Sequence, residues 1–303
     1  MLKVILLSVF VPLCLAATTP ATNDIVSVLA ARSSESILVD LVKTAGLADV
    51  LSQGGPFTVF APYNYAFERL GNDTLTALKK DPNTLAETLK YHVVNGIYKL
   101  KDLHVNELQL DSLAGTKIRI NYYFTARRHV TAEGSRIIRS DIMASNGVVH
   151  IVHDVMMPAA GSIVDVLTAD GNLSTLVAAA KAAGLVEALQ EGPFTLMAPS
   201  NAAFALLGDK VDKLLANPDL LKKVLLYHVI PGTIYKDGLH SGSLHTLEEA
   251  DRERISASFF GTTVHVDGTT SVIKPDISAT NGVVHMINHV LIPSSLRTQI
   301  MNL

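Results

Sequence analysis

The sequence predicts an α+β fold in which one domain occurs twice in tandem. Three blocks of sequence recur in the same order in both halves of the chain, and in each half helical patterns precede strand patterns. Leading helices followed by strands indicate helices on one side of an antiparallel sheet or wedge. The chain of 303 residues has the length of about two domains, and its 48% hydrophobic and 17% charged residues are typical of a globular protein.

The repeat rests on three pairs of matching blocks. Residues 56–67 match 193–204, residues 91–93 match 227–229, and residues 141–150 match 276–285. The offsets are 137, 136 and 135 residues, so the spacing is nearly constant along the chain. A period of this length predicts a duplicated domain and not a solenoid unit. The predicted domains are residues 22–158 and 159–295, and their very short connection at 158–161 places them close together.

Apolar spacing in the first copy predicts the helices. Two apolar helical faces lead, and Gly46 ends the second of them. Asn64 stands where it can cap the next helix, as Asn201 does in the second copy. Leu85, Leu89 and His92 then form one stripe of a helix that begins at residue 81 or 82.

The strands are predicted by short apolar or alternating runs. Residues 57–61, between two prolines, predict a buried strand, and residues 117–124 alternate as a half-buried strand does. Asn146-Gly147 between apolar runs predicts a hairpin. The second copy repeats these patterns.

The first 17 residues predict a secretory signal peptide. A positive Lys3 precedes an apolar stretch at 4–15, which is too short to span a bilayer comfortably, and small residues end the segment. The single cysteine, Cys14, lies within it, so the mature protein would have no disulfide and no cysteine zinc site. Residues 294–303 lack the apolar tail of a lipid-anchor signal, so we expect a secreted, released protein.

Surface features give weaker indications of partners. Asn72 and Asn172 begin N-x-S/T triplets and are candidate glycosylation sites. The net charge of -3 gives no reason to expect a nucleic acid partner. The domains carry charges of 0 and -4, an asymmetry that can orient weak head-to-tail self-association. A basic spot in the first copy is either a solvated loop or a site for sulfated polysaccharide; it comprises Arg127, Arg128, His129, Arg136 and Arg139.

Together, the three blocks resemble the fasciclin domain. The matching segments are residues 57–67, the Tyr91-His92 pair and residues 146–158, each with its counterpart in the second copy. The resemblance spans essentially the whole mature chain. It implies an extracellular cell-adhesion or matrix glycoprotein, and for each copy a seven-stranded β-wedge or sandwich with several helices.

The resemblance also implies candidate receptor-binding residues. In matrix members of the family, integrin recognition has been assigned to an Asp-Ile pair before the last block and to the Tyr-His region. The corresponding residues here are Asp141, Ile142, Asp276 and Ile277, with Tyr91, His92, Tyr227 and His228. Neither copy matches the family form fully, because Ser140 replaces a proline in the first copy and Ser278 replaces a methionine in the second.

Each candidate also has a structural interpretation. An aspartate at this position can bond nearby backbone amides and cap the hairpin. The isoleucine beside it can belong to the core, because neighbours on a strand face opposite sides. A Tyr-His pair at a helix end can hydrogen-bond the last carbonyl groups and fix the helix to the sheet.

The sequence predicts no enzyme, no metal site and no cofactor. It has no nucleophile elbow, phosphate loop or zinc-protease motif. His150 and His153 would point to opposite faces of a strand, and His285 and His289 would lie about 13 Å apart. We therefore favour a secreted adhesion protein that binds cell-surface receptors, matrix or glycans. The alternatives are a carrier of a small apolar ligand in an inter-domain cleft, and a hydrolase that would require His, Asp and Ser together in one cleft.

Overall fold

The computed structural model describes residues 22–124, 128–239, 242–247, 254–260 and 263–303. The predicted signal peptide and Arg127 of the basic spot lie outside these ranges. Both halves contain helices followed by strands in the same order, which confirms the duplicated α+β fold.

In the sequence of the first domain, three helices precede the first strand, three follow it, and the remaining strands come after these helices. The helices are α1 (Ile25–Ala30), α2 (Ser36–Thr44), α3 (Ala48–Gln53), α4 (Asn64–Leu70), α5 (Asn72–Lys80) and α6 (Pro82–Tyr91). The strands are β1 (Phe57–Pro62), β2 (Val93–Asn95), β3 (Leu108–Asp111), β4 (Lys117–Tyr123), β5 (His129–Ala132), β6 (Ser135–Ala144) and β7 (Gly147–Val152). Short 3-10 helices lie at Ser33–Glu35 and Leu100–Leu103.

The second domain repeats this plan. Its helices are α7 (Ile163–Ala169), α8 (Ser174–Ala182), α9 (Asn201–Ala205), α10 (Lys210–Leu215), α11 (Pro218–Tyr227) and α12 (Arg297–Met301). Its strands are β8 (Phe194–Pro199), β9 (Val229–Pro231), β10 (Gly242–His245), β11 (Arg254–Phe260), β12 (Thr263–Val266), β13 (Thr270–Ala279) and β14 (Gly282–Ile287). Its 3-10 helices are Gly171–Leu173, Ala188–Gln190, Lys236–Gly238 and Ser294–Leu296.

Each domain has one seven-stranded sheet, which in the first domain has the order β2-β1-β7-β6-β5-β4-β3. The sequence predicts an antiparallel sheet, but the sheet is mixed, because β7 pairs with β1 in the parallel direction. Gly147 permits this approach, since a Cβ added there would lie 2.1 Å from the carbonyl oxygen of Phe57. Gly282 has the same role against Phe194.

Two apolar clusters lie on opposite faces of the first sheet. Val59 and Ala61 of β1 pack in the cluster beneath the helices, while Phe60 between them packs in a second cluster with residues of β3, β4 and β5. This alternation is that of a strand buried on both faces. The sheet therefore packs against the helices on one face and folds over a second core on the other.

Asn64 does not cap α4 as predicted. It is the first residue of α4, and its side chain instead fixes the start of α2. Its Oδ1 accepts the N–H of Ile37 at 3.0 Å, and its Nδ2 donates to the carbonyl of Ser33 at 3.0 Å. Asn201 makes the equivalent bonds to Thr175 and Gly171, and Ser200 caps α9.

The predicted hairpin at Asn146 is confirmed between β6 and β7. The Asn146 side chain also ties the turn to the helices. Its Oδ1 accepts the N–H of Ile25 at 2.9 Å, and its Nδ2 donates to the carbonyls of Leu51 and Gly54, each at 2.8 Å. Asn281 makes the equivalent bonds in the second domain.

The domains meet chiefly through β4 and the β5–β6 turn of the first domain and through residues 232–238 and Thr280 of the second. Asn121 Nδ2 donates to the carbonyl and hydroxyl oxygens of Thr233 at 3.1 and 3.2 Å. The hydroxyl of Tyr235 donates to Glu133 Oε2 at 2.8 Å, and the Arg119 guanidinium donates to the carbonyl of Thr280 at 3.1 Å. Polar side chains thus join the domains across the interface.

Two tyrosine rings lie against glycines of the opposite domain. A Cβ added at Gly134 would be 2.4 Å from the Tyr235 ring, and one added at Gly238 would be 2.3 Å from the Tyr123 ring. The Tyr123 hydroxyl oxygen also accepts the N–H of Tyr235 at 3.0 Å. We call this pair the tyrosine-on-glycine contacts. They bring the domains into direct contact, as the short connection predicts.

Among the described residues, no single helix is long and apolar enough to cross a membrane. Residues Ile163–Ala169 and Gly171–Ala182 reach the required length only together, with a bend of 103° between them.

Candidate functional site

The Tyr-His pair of the first domain is buried at the end of α6. Tyr91 and His92 are 1% and 2% exposed. His92 Nδ1–H donates to the carbonyl of Thr88 at 2.7 Å, and its Nε2 accepts the N–H of Met156 at 2.9 Å. Burial lowers the pKa of His92 to about 4, so the ring is neutral at pH 7. The imidazole thus fixes the segment after β7 to the helix.

The second domain repeats this arrangement. His228 donates to the carbonyl of Val224 at 2.7 Å and accepts the N–H of Leu291 at 2.9 Å, and burial lowers its pKa to about 4. The Tyr227 hydroxyl bonds the carbonyl of Arg254 and Oδ2 of Asp267. These geometries match the structural interpretation of both pairs. A role for them in receptor binding stays a prediction, and it would have to act through the fold that they support.

Asp141 lies in a bulge of β6 with a left-handed backbone, at φ 58°. Its Oδ1 accepts the N–H of Leu100 at 2.8 Å, and its own N–H donates to Nδ1 of His150 at 3.3 Å. His150 Nε2–H donates in turn to the carbonyl of Tyr98 at 2.7 Å, and burial lowers the pKa of this histidine. Asp141 therefore binds a neighbouring loop and not only its own hairpin, while its side chain stays exposed.

Asp276 has the same local geometry, at φ 59°. It accepts the N–H of Lys236 at 2.6 Å, and its N–H donates to Nδ1 of His285 at 3.1 Å. Its surroundings differ, because its side chain lines a groove against the first domain and is only 30% exposed. Burial raises the pKa of this carboxyl. The two aspartates are therefore equivalent in backbone but not in accessibility.

Ile142 and Ile277 are half-buried and pack against the core beneath the helices. These contacts match the interpretation of the two isoleucines as core residues. Their side chains offer a partner less surface than the aspartate of the first domain does.

The inter-domain groove has a volume of about 640 Å³ and is open to solvent. Its walls carry four basic and four acidic side chains: Arg69, Arg136, Lys236, Lys274, Glu133, Asp154, Asp237 and Asp276. Apolar side chains such as Met157, Pro158 and Ile277 lie among these charges, so the groove is mixed in character, and the carrier of a small apolar ligand stays a prediction. An apolar cavity in the core of the second domain holds only about 20 Å³.

The predicted basic spot is wrong as a single patch. His129 is 8% exposed and faces Asp237 of the second domain, with 3.7 Å between Nε2 and Oδ2. Arg136 lines the inter-domain groove, while Arg128 lies over the Phe124 ring, 4.6 Å from its centroid. The second domain separates these residues, because its Asp237 faces His129 while Arg136 lines the groove between the domains.

The hydrolase hypothesis can be tested at Ser135, His153 and Asp154, which line the inter-domain groove together. His153 Nδ1 lies 3.0 Å from Oδ2 of Asp154. The Ser135 hydroxyl, however, donates to the carbonyl of Asp154 and accepts its N–H, so backbone atoms and not the imidazole hold it. Nor do the described residues contain three or more His, Cys, Asp or Glu placed to hold a metal ion.

Sequence reasoning suggested a cleft between the domains but missed the residues that form it. Glu133 and Tyr235, for example, meet across 102 residues of chain. No local pattern indicates such a pair.

The glycosylation candidates Asn72 and Asn172 are both exposed.

A model of the fasciclin domain family matches residues 33–158 and 171–293. Similar proteins include transforming growth factor-beta-induced protein ig-h3 of Sus scrofa, 31% identical over 260 residues that cover 84% of this chain and 37% of that protein. Periostin of Homo sapiens is 30% identical over 266 residues, covering 87% of this chain and 30% of that protein. The chain thus spans about a third of the length of these relatives. Among solved structures, a FAS1 domain pair from the insect cell adhesion molecule fasciclin I covers 85% of this chain and 96% of its own, with 19% identity and a TM-score of 0.42.

Proposed function

The chain belongs to the fasciclin domain family, and on that premise we propose that it is a secreted adhesion protein which binds a cell-surface receptor through its first domain. Relatives that are cell-adhesion and matrix proteins support an extracellular role. We propose recognition and not catalysis, with the matrix as a second class of partner.

The exposed carboxylate of Asp141 is the observation that carries this proposal. It corresponds by resemblance to the Asp-Ile position to which integrin recognition has been assigned in matrix members of the family, and its side chain is exposed. Its Oδ2 makes no hydrogen bond within the described residues, whereas Oδ1 is held by Leu100. A carboxylate fixed at one oxygen and open at the other is suited to complete the coordination of a divalent metal ion held by a receptor.

The equivalent Asp276 supplies a matched internal control. It has the same backbone conformation and the same bonds to a loop amide and a histidine. The first domain restricts access to it from the groove side. We therefore assign receptor binding to the first domain, with the second domain holding the first in place.

The test is adhesion of cells to the immobilised protein in the presence of divalent cations. Asp141→Asn should abolish most of the adhesion, because an amide oxygen is a weaker metal ligand than a carboxylate. Asparagine also tolerates the left-handed backbone, so the loop should keep its shape. Asp276→Asn should leave adhesion near that of the unmodified protein. Equal adhesion by the Asp141→Asn variant would disprove the assignment, and adhesion no better than to an inert coated protein would disprove the function.

A further inference from the structure

The inter-domain groove is distinct from the Asp141 surface, and its chemistry indicates a ligand of its own. We propose that it binds an acidic oligosaccharide whose sulfate or carboxylate groups contact Arg136 and Lys236. The groove exists only where the two domains face each other. The proposal is independent of receptor binding at Asp141.

The four carboxylates of the groove already have partners. Asp154 pairs with Arg69, Asp237 faces His129, Asp276 accepts the N–H of Lys236, and Glu133 accepts the backbone N–H of Arg119 and the hydroxyl of Tyr235. These contacts occupy part of the acceptor capacity of the carboxylates, and among the residues that the structure describes only Asp154 is paired with a cation at close range.

Two of the four cations make no close ion pair within the described residues, although the charge of Lys236 acts on Asp276 and lowers the pKa of that carboxyl against the larger effect of burial, which raises it. Arg69 pairs with Asp154, and Lys274 Nζ lies 3.5 Å from Asp170. The charged groups of Arg136 and Lys236 make no hydrogen bond or ion pair with any residue of the described ranges, although both line the groove. The free groups are therefore donors only, and a complementary ligand must supply anionic acceptors.

The positions of the two cations favour an extended ligand. Arg136 belongs to the first domain and Lys236 to the second, and both line the groove, so each domain contributes one cation. Met157, Pro158 and Ile277 add apolar surface to the lining, against which the C–H groups of a sugar ring can pack. The volume of about 640 Å³ lies in the range of small-molecule sites. A fatty acid fits less well, because charged side chains of both domains line the groove.

Calorimetric titration of the whole protein tests the proposal with three probes. These are a heparin-derived tetrasaccharide with sulfates, a hyaluronan tetrasaccharide with carboxylates only, and a neutral chitin tetrasaccharide. At least one acidic probe should bind and the neutral one should not. The comparison of the two acidic probes identifies which oxyanion the groove prefers.

Variants at Arg136 and Lys236, with Arg139 on the same strand as Arg136 for the control, separate a built site from general attraction between charges. Arg136→Ala and Lys236→Ala should each raise the Kd of the acidic probe about tenfold, the loss expected for one charge-assisted hydrogen bond. Arg139→Ala removes the same charge from an exposed residue of β6 that does not line the groove, and it should leave the Kd unchanged. Both groove residues are half-buried, and their charged groups make no hydrogen bond or close ion pair in the described ranges, so their variants should fold, and circular dichroism checks this.

Three results would overturn the proposal. They are equal binding of the neutral probe, an Arg139→Ala effect as large as that of Arg136→Ala, and no binding of either acidic probe at millimolar concentration. Asp141→Asn should leave sugar binding intact. Loss of adhesion with retained sugar binding would therefore support both sites, and each can fail without the other.

Discussion

Replacing Gly238 by alanine tests whether the tyrosine-on-glycine contacts hold the domains together. Gly238 ends the 3-10 helix Lys236–Gly238 and has no left-handed backbone that alanine would strain. At such a position alanine alone should stabilise the protein by about 0.4–1 kcal/mol, because it restricts the unfolded chain. The added Cβ, however, would lie 2.3 Å from Cε1 of Tyr123.

The clash should outweigh this gain. Overpacking by one methyl group costs about 1–3 kcal/mol. If the Tyr123 ring moves away, the buried N–H of Tyr235 loses its acceptor, which costs about 1–3 kcal/mol more. The net loss should therefore be about 1–5 kcal/mol. This loss of stability cannot exceed the free energy of docking between the two domains, because the protein can also relieve the clash by separating them.

The assay is denaturant unfolding followed by circular dichroism, since the chain has no tryptophan. In a Tyr123→Ala background the ring is absent, so Gly238→Ala should change sign and stabilise by about 0.4–1 kcal/mol. Gly171→Ala is the matched control, because Gly171 starts another 3-10 helix and a Cβ there meets no atom within 4 Å. An equal cost of Gly238→Ala in both backgrounds would refute the reasoning.

Three further predictions concern pH, the hairpin asparagines and glycosylation. His92 and His228 have pKa values of about 4 in the folded protein, below the usual 6.5, so the unfolded state takes up protons first as the pH falls. As the pH is lowered from 6.5 to 4, the free energy of unfolding should therefore fall by about 3 kcal/mol per histidine. Denaturant titrations at several pH values measure this, and a free energy of unfolding that does not change with pH would contradict the burial of neutral rings. Asn146→Asp should lower the free energy of unfolding by about 2–4 kcal/mol, because a carboxylate cannot donate to the carbonyl groups of Leu51 and Gly54. Asn83→Ala, at an exposed residue of α6, is the control. Equal melting temperatures of the two variants would exclude the predicted role of Asn146. In a eukaryotic secretory host, Asn72→Gln and Asn172→Gln should each remove one glycan, measured as a loss of mass, and unchanged masses would disprove occupancy.

Local signals explain which parts of the fold could be predicted. The repeat, the helix at Leu85 and Leu89, and the Asn146 hairpin follow from spacing and turn residues within short windows. The partners of Asn64 lie 27 to 31 residues away, so its sequence position suggested a cap of its own helix. The parallel pairing of β1 with β7 depends on how the chain returns after all the other strands, and no window of sequence contains that information.

The candidate site shows the same limit. Asp141 and Asp276 share their local sequence pattern, their left-handed backbone and their histidine partner. They differ in accessibility because the first domain faces one of them, which is a property of domain packing. Likewise, the basic residues at 128–139 are neighbours in sequence, but the packing of the second domain distributes them between the surface, the interface and the groove.

The contact between Tyr123 and Gly238 also determines how many domains can associate in this way. By the repeat offset, the residue of the first domain that corresponds to Gly238 is Asp102. An aspartate has the Cβ that the ring contact excludes, so a second molecule cannot dock its Phe260, the counterpart of Tyr123, there in the same way. A heterologous interface that could repeat would generate a closed ring or an open filament. With Asp102 in the first domain, the Tyr123–Gly238 contact therefore cannot be repeated in the same form between one molecule and the next.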